Sequence, residues 1–238
     1  VVVVSAVNGA VFEALNAGAV DFVAKPDYRS GRGVEPLIQE LINKIKIASA
    51  ANVGYLKRSN PHCEPAAAVG GADRRSKIIA IGASTGGTEA IYEIIKALPV
   101  NAPGIVVVQH MPPVFTKLYA DRLNNSCALE VKEAQNLDRV KQGRVLIAPG
   151  NYHMRLKKTG SEYFVECFAG EKVNGHCPSV DVLFESVALR AGKDAIGVIL
   201  TGMGYDGAKG LLAMRKQGAK TIGQDEQSSV VYGMPKVA

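Results

Sequence analysis

Tryptophan is absent from the 238 residues, aromatic residues make up only 6%, and cysteine occurs four times. Cys63, Cys127, Cys167 and Cys177 form no CxxC pair, and no spacing suggests a zinc site. Four thiols in a chain of this length are too few for a disulfide scaffold. They read as structural thiols of a reducing, cytoplasmic compartment. No window approaches the roughly 18 apolar residues that a membrane-spanning helix needs, which argues against membrane insertion. A signal peptide is also lacking, and the chain starts at Val1 in the middle of an apolar strand run, so a fragment of a longer protein is expected. The scarcity of aromatics bears on nucleic acid: no basic stripe with interleaved aromatics occurs, so nucleic-acid binding is a weak reading.

What is present is ordinary globular usage, with 47% apolar and 21% charged residues, which excludes disordered, collagen-like and coiled-coil classes. The length fits one large domain or two small ones. The formal charge of +6 is unevenly spread. Residues 1–27 carry one Lys against three acids, residues 28–76 eight basic against four acidic residues, and residues 77–238 nineteen against fifteen. A mildly basic surface suits an acidic partner better than a polyanion.

Three segments follow from the patterning. Residues 1–27 read strand, helix, strand: Val1–Ser5, a short helical face at Val11, Phe12, Ala14 and Leu15 ending at Gly18, then Ala19–Ala24 stopped by Lys25-Pro26. Residues 28–76 read as a connector. Leu37, Ile38, Leu41, Ile42 and Ile45 place a helix near 35–50, and a small-residue, turn-forming stretch follows it. From Lys77 onward strands and helices alternate with short connections. This predicts a mostly parallel, doubly wound α/β sheet with helices on both faces. A small antiparallel hairpin at Tyr152–Lys157 and Tyr163–Cys167 is added to it.

Gly82-Ala83-Ser84-Thr85-Gly86-Gly87 lies between a predicted strand and helix and fits G-x-S-x-G. Small neighbours allow a sharp turn that raises the Ser84 hydroxyl above the sheet edge, and the following helix aims free N–H groups at the same place. The bland alternative is a tight turn that only lets strand and helix pack. The glycine spacing also approaches a Walker A loop, but Thr88 stands where Lys is required. A serine nucleophile needs a base. Of His62, His110, His153 and His176, His110 directly follows a strong strand run, Ile105–Gln109, at the carboxyl edge where ligands of parallel sheets bind. His62 falls in the connector, His153 starts the hairpin, and His176 sits in a Gly/Pro turn where it is more readily structural but can line a cleft. Asp206, after the strand Ala195–Thr201, is placed to orient His110, or simply to cap the helix behind it. Asp181, at a helix start, reads as structural. No His/Asp/Glu cluster has metal-ligand spacing.

Beyond these three residues, the chain closely resembles the chemotaxis methylesterases of the CheB family. The segments that carry the resemblance are Ile81–Ala90, Gln109–Pro113, Ile147–Gly150, Pro178–Phe184 and Leu200–Gly207, which together span most of residues 77–238. The resemblance implies a cytoplasmic serine hydrolase, without catalytic cofactor, that removes methyl esters from glutamyl side chains of methyl-accepting chemotaxis receptors and is linked to deamidation of receptor glutamines. It assigns Ser84 as nucleophile, His110 as base and Asp206 as orienting acid. It places Thr85 beside the nucleophile, and Met203 where a backbone N–H helps bind the oxyanion. Residues 1–27 resemble the end of a response-regulator receiver, a flavodoxin-like domain. There Ser5 matches the switch hydroxyl, Phe22 the switch aromatic and Lys25 the phosphoryl-sensing lysine. The phosphoacceptor and its Mg²⁺ pocket, and with them the contact to the chemotaxis histidine kinase, are expected upstream of Val1. Two positions depart from the family pattern: Tyr205 stands where Asn is common, and Cys177 follows His176 where Arg is common. A non-catalytic signalling module using the Gly-rich edge and a general small-ester hydrolase stand as rival readings.

Overall fold

The computed structural model describes residues 1–6, 8–25, 34–52 and 78–238. Its centre is a six-stranded, wholly parallel sheet built from β3 (Ile78–Ala83), β4 (Gly104–Gln109), β5 (Glu130–Glu133), β7 (Arg144–Ile147), β10 (Ala195–Ile199) and β11 (Lys220–Gly223). The order across the sheet is β11-β10-β3-β4-β7-β5. The chain therefore leaves β3 toward one side for β4 and later returns to its other side for β10. That reversal puts the ends of β10, β3 and β4 next to one another, the crevice where parallel sheets bind ligands.

The strands read as continuous apolar runs because both faces are covered. Ile78, Ala80, Val106, Val108 and Leu146 face one core, closed by α5 (Val180–Ala191) and α6 (Ala208–Lys216). Ile81, Ala83, Ile105, Val107 and Ile147 face the other, closed by α3 (Gly87–Ala97) and α4 (Phe115–Ser126). The alternation of side chains along each strand is what divides them. The expected annex is larger than a hairpin. The strands β8 (His153–Thr159) and β9 (Glu162–Phe168) pair as predicted, and the two-residue β6 (Arg139–Val140) adds to β9 to make three antiparallel strands.

The first 25 residues form β1 (Val2–Ser5), α1 (Asn8–Asn16) and β2 (Asp21–Ala24), with the two strands parallel. Two strands and one helix cannot close a core alone. They do not have to: Val11, Phe12, Leu15 and Phe22 join the core under α3 and α4. Phe22 packs on Phe115 with ring centroids 4.6 Å apart, and Phe12 stacks on Tyr119 at 5.9 Å. The connector helix is α2 (Glu35–Ser49), where the spacing put it. Its Lys44 reaches back to Asp21 at 3.0 Å and lies over the Phe22 ring. The rest of the connector, with His62 and Cys63, is outside the described residues, as is Lys77.

Candidate active site

Ser84, His110 and Thr201 each follow the last residues of adjacent strands. Backbone hydrogen bonds continue the ladder past those ends: Leu200 N to Gly82 O (2.9 Å), Ser84 N to Thr201 O (3.0 Å) and His110 N to Ala83 O (3.1 Å). The strand register thus delivers Ser84 and His110 side by side and brings the Thr201–Asp206 loop against them. Gly202 has no room for a side chain, since a Cβ there would lie 2.7 Å from the Ser84 Cβ. Gly86 turns the chain into α3 at φ 79°, which completes the sharp strand-to-helix turn expected from the motif. The Gln109 amide donates to the carbonyls of both Ser84 and His110, at 2.9 and 3.2 Å, so one buried side chain ties the two loops together.

The His110 imidazole donates from Nε2 to Asp206 Oδ2 at 2.8 Å. A carboxylate only accepts, so Nε2 carries a proton, and in the neutral ring the lone pair is on Nδ1. That Nδ1 is buried with no hydrogen-bond partner. Asp206 is 2% exposed. Besides His110 it accepts from Asn174 Nδ2 (2.8 Å), Ser179 Oγ (2.8 Å), Val180 N (2.7 Å) and Asp181 N (3.3 Å). Burial by itself would raise its pKa. The hydrogen bond and charge of His110, with the Asn174 amide and the Val180 N–H, outweigh burial and hold the carboxyl well below the usual range.

The sequence left Asp206 free to cap the helix that follows it. The geometry is different. The N-terminus of α6 begins at Gly207 with no side-chain cap, and Asp206 instead accepts from the first N–H groups of α5. Asp181, at the start of α5, accepts in turn from Gly210 N of α6 at 2.7 Å. The two helices cap each other's N-termini, each carboxylate sitting where the helix dipole favours negative charge. Asn174 donates to both carboxylates, at 2.7 Å to Asp181 and 2.8 Å to Asp206.

Thr85 is buried, and its hydroxyl donates to Asp21 Oδ2 of β2 at 2.8 Å. Met203 is 53% exposed at the rim. Neither the Thr85 N–H nor the Met203 N–H takes part in a backbone hydrogen bond among the described residues. The Ser84 N–H, by contrast, is committed to Thr201. Ser84, Thr85, His110 and Met111 share a cleft with Leu15, Asp21 and Phe22 that has only about 20 Å³ of free volume, enough for one water.

Ser5, Phe22 and Lys25, the residues matched to a receiver switch, all lie on or beside the β1–β2 pair. Lys25 N donates to Ser5 O at 3.0 Å at the end of the β1–β2 ladder, whereas Phe22 is buried against Phe115. The His153 ring bonds Glu171 O and accepts from Ser179 N, bracketing the loop between them. Burial pushes the Cys127 and Cys177 thiols up and that of Cys167 to about 12, so none of the three is a thiolate near neutral pH. No group of three or more His, Cys, Asp or Glu side chains converges as a metal-ligand set among the described residues.

Sequence reasoning missed Asn174 and undervalued His176. The signal was available in Val173-Asn174-Gly175-His176, because Asn-Gly is the strongest short hairpin dipeptide. Asn174 and Gly175 both have positive φ, 52° and 83°, and Val173 and His176 exchange both backbone hydrogen bonds. This tight turn presents Asn174 to Asp206 and lays the His176 ring flat on that of His110, with centroids 3.7 Å apart and planes 10° apart.

A doubly wound parallel sheet with Ser, His and Asp at the carboxyl ends of three neighbouring strands defines an α/β protein with a hydrolase-type site. More narrowly, the chain belongs to the CheB methylesterase family, which matches residues 79–238. It is 61% identical over 238 residues to the protein-glutamate methylesterase/protein-glutamine glutaminase 2 of Syntrophomonas wolfei, covering all of this chain and 69% of the relative. It is 47% identical over 243 residues to the corresponding enzyme of Salmonella choleraesuis, again covering 69% of it. The chain thus spans about two thirds of the length of the curated relatives it matches, 65% in the case of the Syntrophotalea carbinolica enzyme. The crystal structure of the Thermotoga maritima CheB methylesterase catalytic domain superposes with a TM-score of 0.66 at 44% identity, over 68% of this chain and 86% of that one.

Proposed function

We propose that this chain is the catalytic part of a protein-glutamate methylesterase. In this reading Ser84 is the nucleophile, His110 the general base and Asp206 the group that holds the imidazole. The observation that carries it is the His110–Asp206 hydrogen bond of 2.8 Å, made by a histidine that lines one cleft with Ser84 and whose Nδ1 has no other partner. Ser84 Oγ attacks the glutamyl ester carbonyl while its proton passes to His110 Nδ1. The oxyanion forms toward the uncommitted N–H groups of Thr85 and Met203. His110 then protonates the departing methoxide, giving methanol and an acyl-enzyme, and water activated by His110 releases the glutamate. Attack on a glutamine side chain by the same steps expels ammonia and accounts for a glutaminase activity.

The substrate class is the methylated cytoplasmic segment of a chemoreceptor, and the cellular site is the cytoplasm. No described helix is long and apolar enough to cross a membrane, and the basic chain suits an acidic helical substrate. Residues 1–27 are proposed as the end of a receiver, residues 28–76 as the linker and residues 77–238 as the catalytic domain, with a chemotaxis histidine kinase as the phosphoryl source. The packing of Asp21 and Phe22 over the Ser84–His110 cleft supports an inhibitory docking of that unit, because about 20 Å³ cannot admit a receptor helix. The decisive experiment is methanol release from methylated receptor by the full-length protein beside Ser84→Ala, with folding checked by circular dichroism. We expect a loss of roughly 10⁴–10⁶ in kcat for the variant. Equal release from both proteins would remove Ser84 from the chemistry.

A further inference from the structure

His110 is tethered at one ring nitrogen only. Nε2 is bonded to Asp206, while Nδ1 must stay open to take the Ser84 proton and has no partner. A ring held at a single atom can swing about that bond and lose alignment with the serine. Among the described residues the ring lying flat against it is that of His176, with centroids 3.7 Å apart and planes 10° apart. We infer that His176 is a positioning residue: its ring is the backstop that keeps the His110 imidazole in the plane from which Nδ1 meets Ser84 Oγ. The inference rests on the proposed roles of Ser84 and His110.

The support behind His176 is rigid. Val173 N donates to His176 O at 3.0 Å, and His176 N donates to Val173 O at 2.9 Å. Asn174 ties the same turn to Asp181 and Asp206. His153 fixes the loop at Glu171 O (2.8 Å) and at Ser179 N (3.2 Å), and Asn151 N donates to Cys177 O at 3.2 Å. A locked shell of this kind is what holds a reactive ring within the narrow tolerance that chemistry needs. The stack also suits the charge cycle. When His110 takes the serine proton it becomes a cation, and a cation is favoured over the face of a neutral ring. Burial, with His110 beside it, pushes the His176 imidazole down to about 4, so at neutral pH it offers a π face and not a second positive charge.

The test uses the full-length protein as wild type, His176→Ala and His176→Phe, with Ser84→Ala as the blank. Two rates are read: modification of Ser84 by a fluorophosphonate, which needs the Ser84–His110 pair but no receptor, and methanol release from methylated receptor. His176→Ala should slow labelling and kcat by roughly tenfold or more, as small misplacements at a reacting centre do, while KM stays within about twofold. His176→Phe keeps a flat ring in place and should recover most of both rates. Wild-type rates in His176→Ala, or a Phe variant as slow as the Ala variant, would overturn the inference. Labelling that follows this pattern in a protein releasing no methanol would leave the inference standing and remove the methylesterase reading. A phosphorylated wild type that is still never labelled would remove the Ser84–His110 pair and the stack with it.

Discussion

Asp206 receives five hydrogen-bond donors in a buried setting, and Asn174 is the one among them that also serves a second carboxylate. Burial pushes Asp181 up, whereas Asp206 is held down by its donors. The amide between them is what lets two buried carboxylates lie close together. Asn174→Asp isolates that amide, because Asp tolerates the positive φ as Asn does and has the same size. It replaces a shared donor with a third acidic group. We expect a loss of about 2–3 kcal/mol in unfolding free energy at neutral pH, partly regained on acidification as one carboxyl takes a proton, with kcat reduced. A denaturant midpoint unchanged from wild type would show that the amide carries no such load. At this scale the convergence of Ser84, His110 and Asp206 at one sheet edge was legible, since each comes after an apolar strand run. Asn174 and His176 were not placed, because what they touch depends on where the loop between β9 and α5 lies over the sheet edge.

The elements show a similar division. The run Ile105–Val108 announced a strand buried on both faces, and Leu37, Ile38, Leu41, Ile42 and Ile45 announced α2. The strand β5, Glu-Val-Lys-Glu at the sheet edge with Val131 its one buried residue, carries no such pattern, and β6 is too short to show one. The reciprocal capping of α5 and α6 was equally hidden, since it is set by how two helices meet. Asp181→Ala removes the acceptor for Gly210 N and one partner of Asn174, and should cost about 1–3 kcal/mol, read from the denaturant midpoint. The β1–α1–β2 unit makes a different claim. The bond from Thr85 to Asp21 is to a charged acceptor, and such a bond contributes about 1.5–3 kcal/mol. If that unit covers the site, Asp21→Ala shifts the closed arrangement toward an open one by about tenfold or more. Fluorophosphonate labelling of Ser84 should then rise severalfold without phosphorylation. An unchanged rate would mean that the unit does not control access.

At the scale of the whole molecule, the site's electrostatics set how the protein responds to acid. The His176 pKa falls from 6.5 to about 4 on folding. Between those values the unfolded chain holds a proton that the folded one refuses, so stability drops as pH falls through that window. The Asp206 pKa is depressed, so its contribution is fully present above the ordinary carboxylate value near 3.9 and is lost as pH falls below it. The two groups act in the same direction in sequence, first the histidine and then the carboxylate. The thermal midpoint should therefore decline from about pH 6.5 downward and steepen below about pH 4. His176→Phe cannot take up a proton in either state, so its curve should be flatter between pH 6.5 and 4 and should rejoin the wild-type slope below that. Thermal scans by circular dichroism across pH 3.5–7.5 measure both limbs. Parallel curves over the upper window would mean that His176 is not held neutral in the fold, and would weaken the case for a neutral ring under His110. A flattened upper limb with an intact lower one would tie acid sensitivity to the same stack that is inferred to align the base.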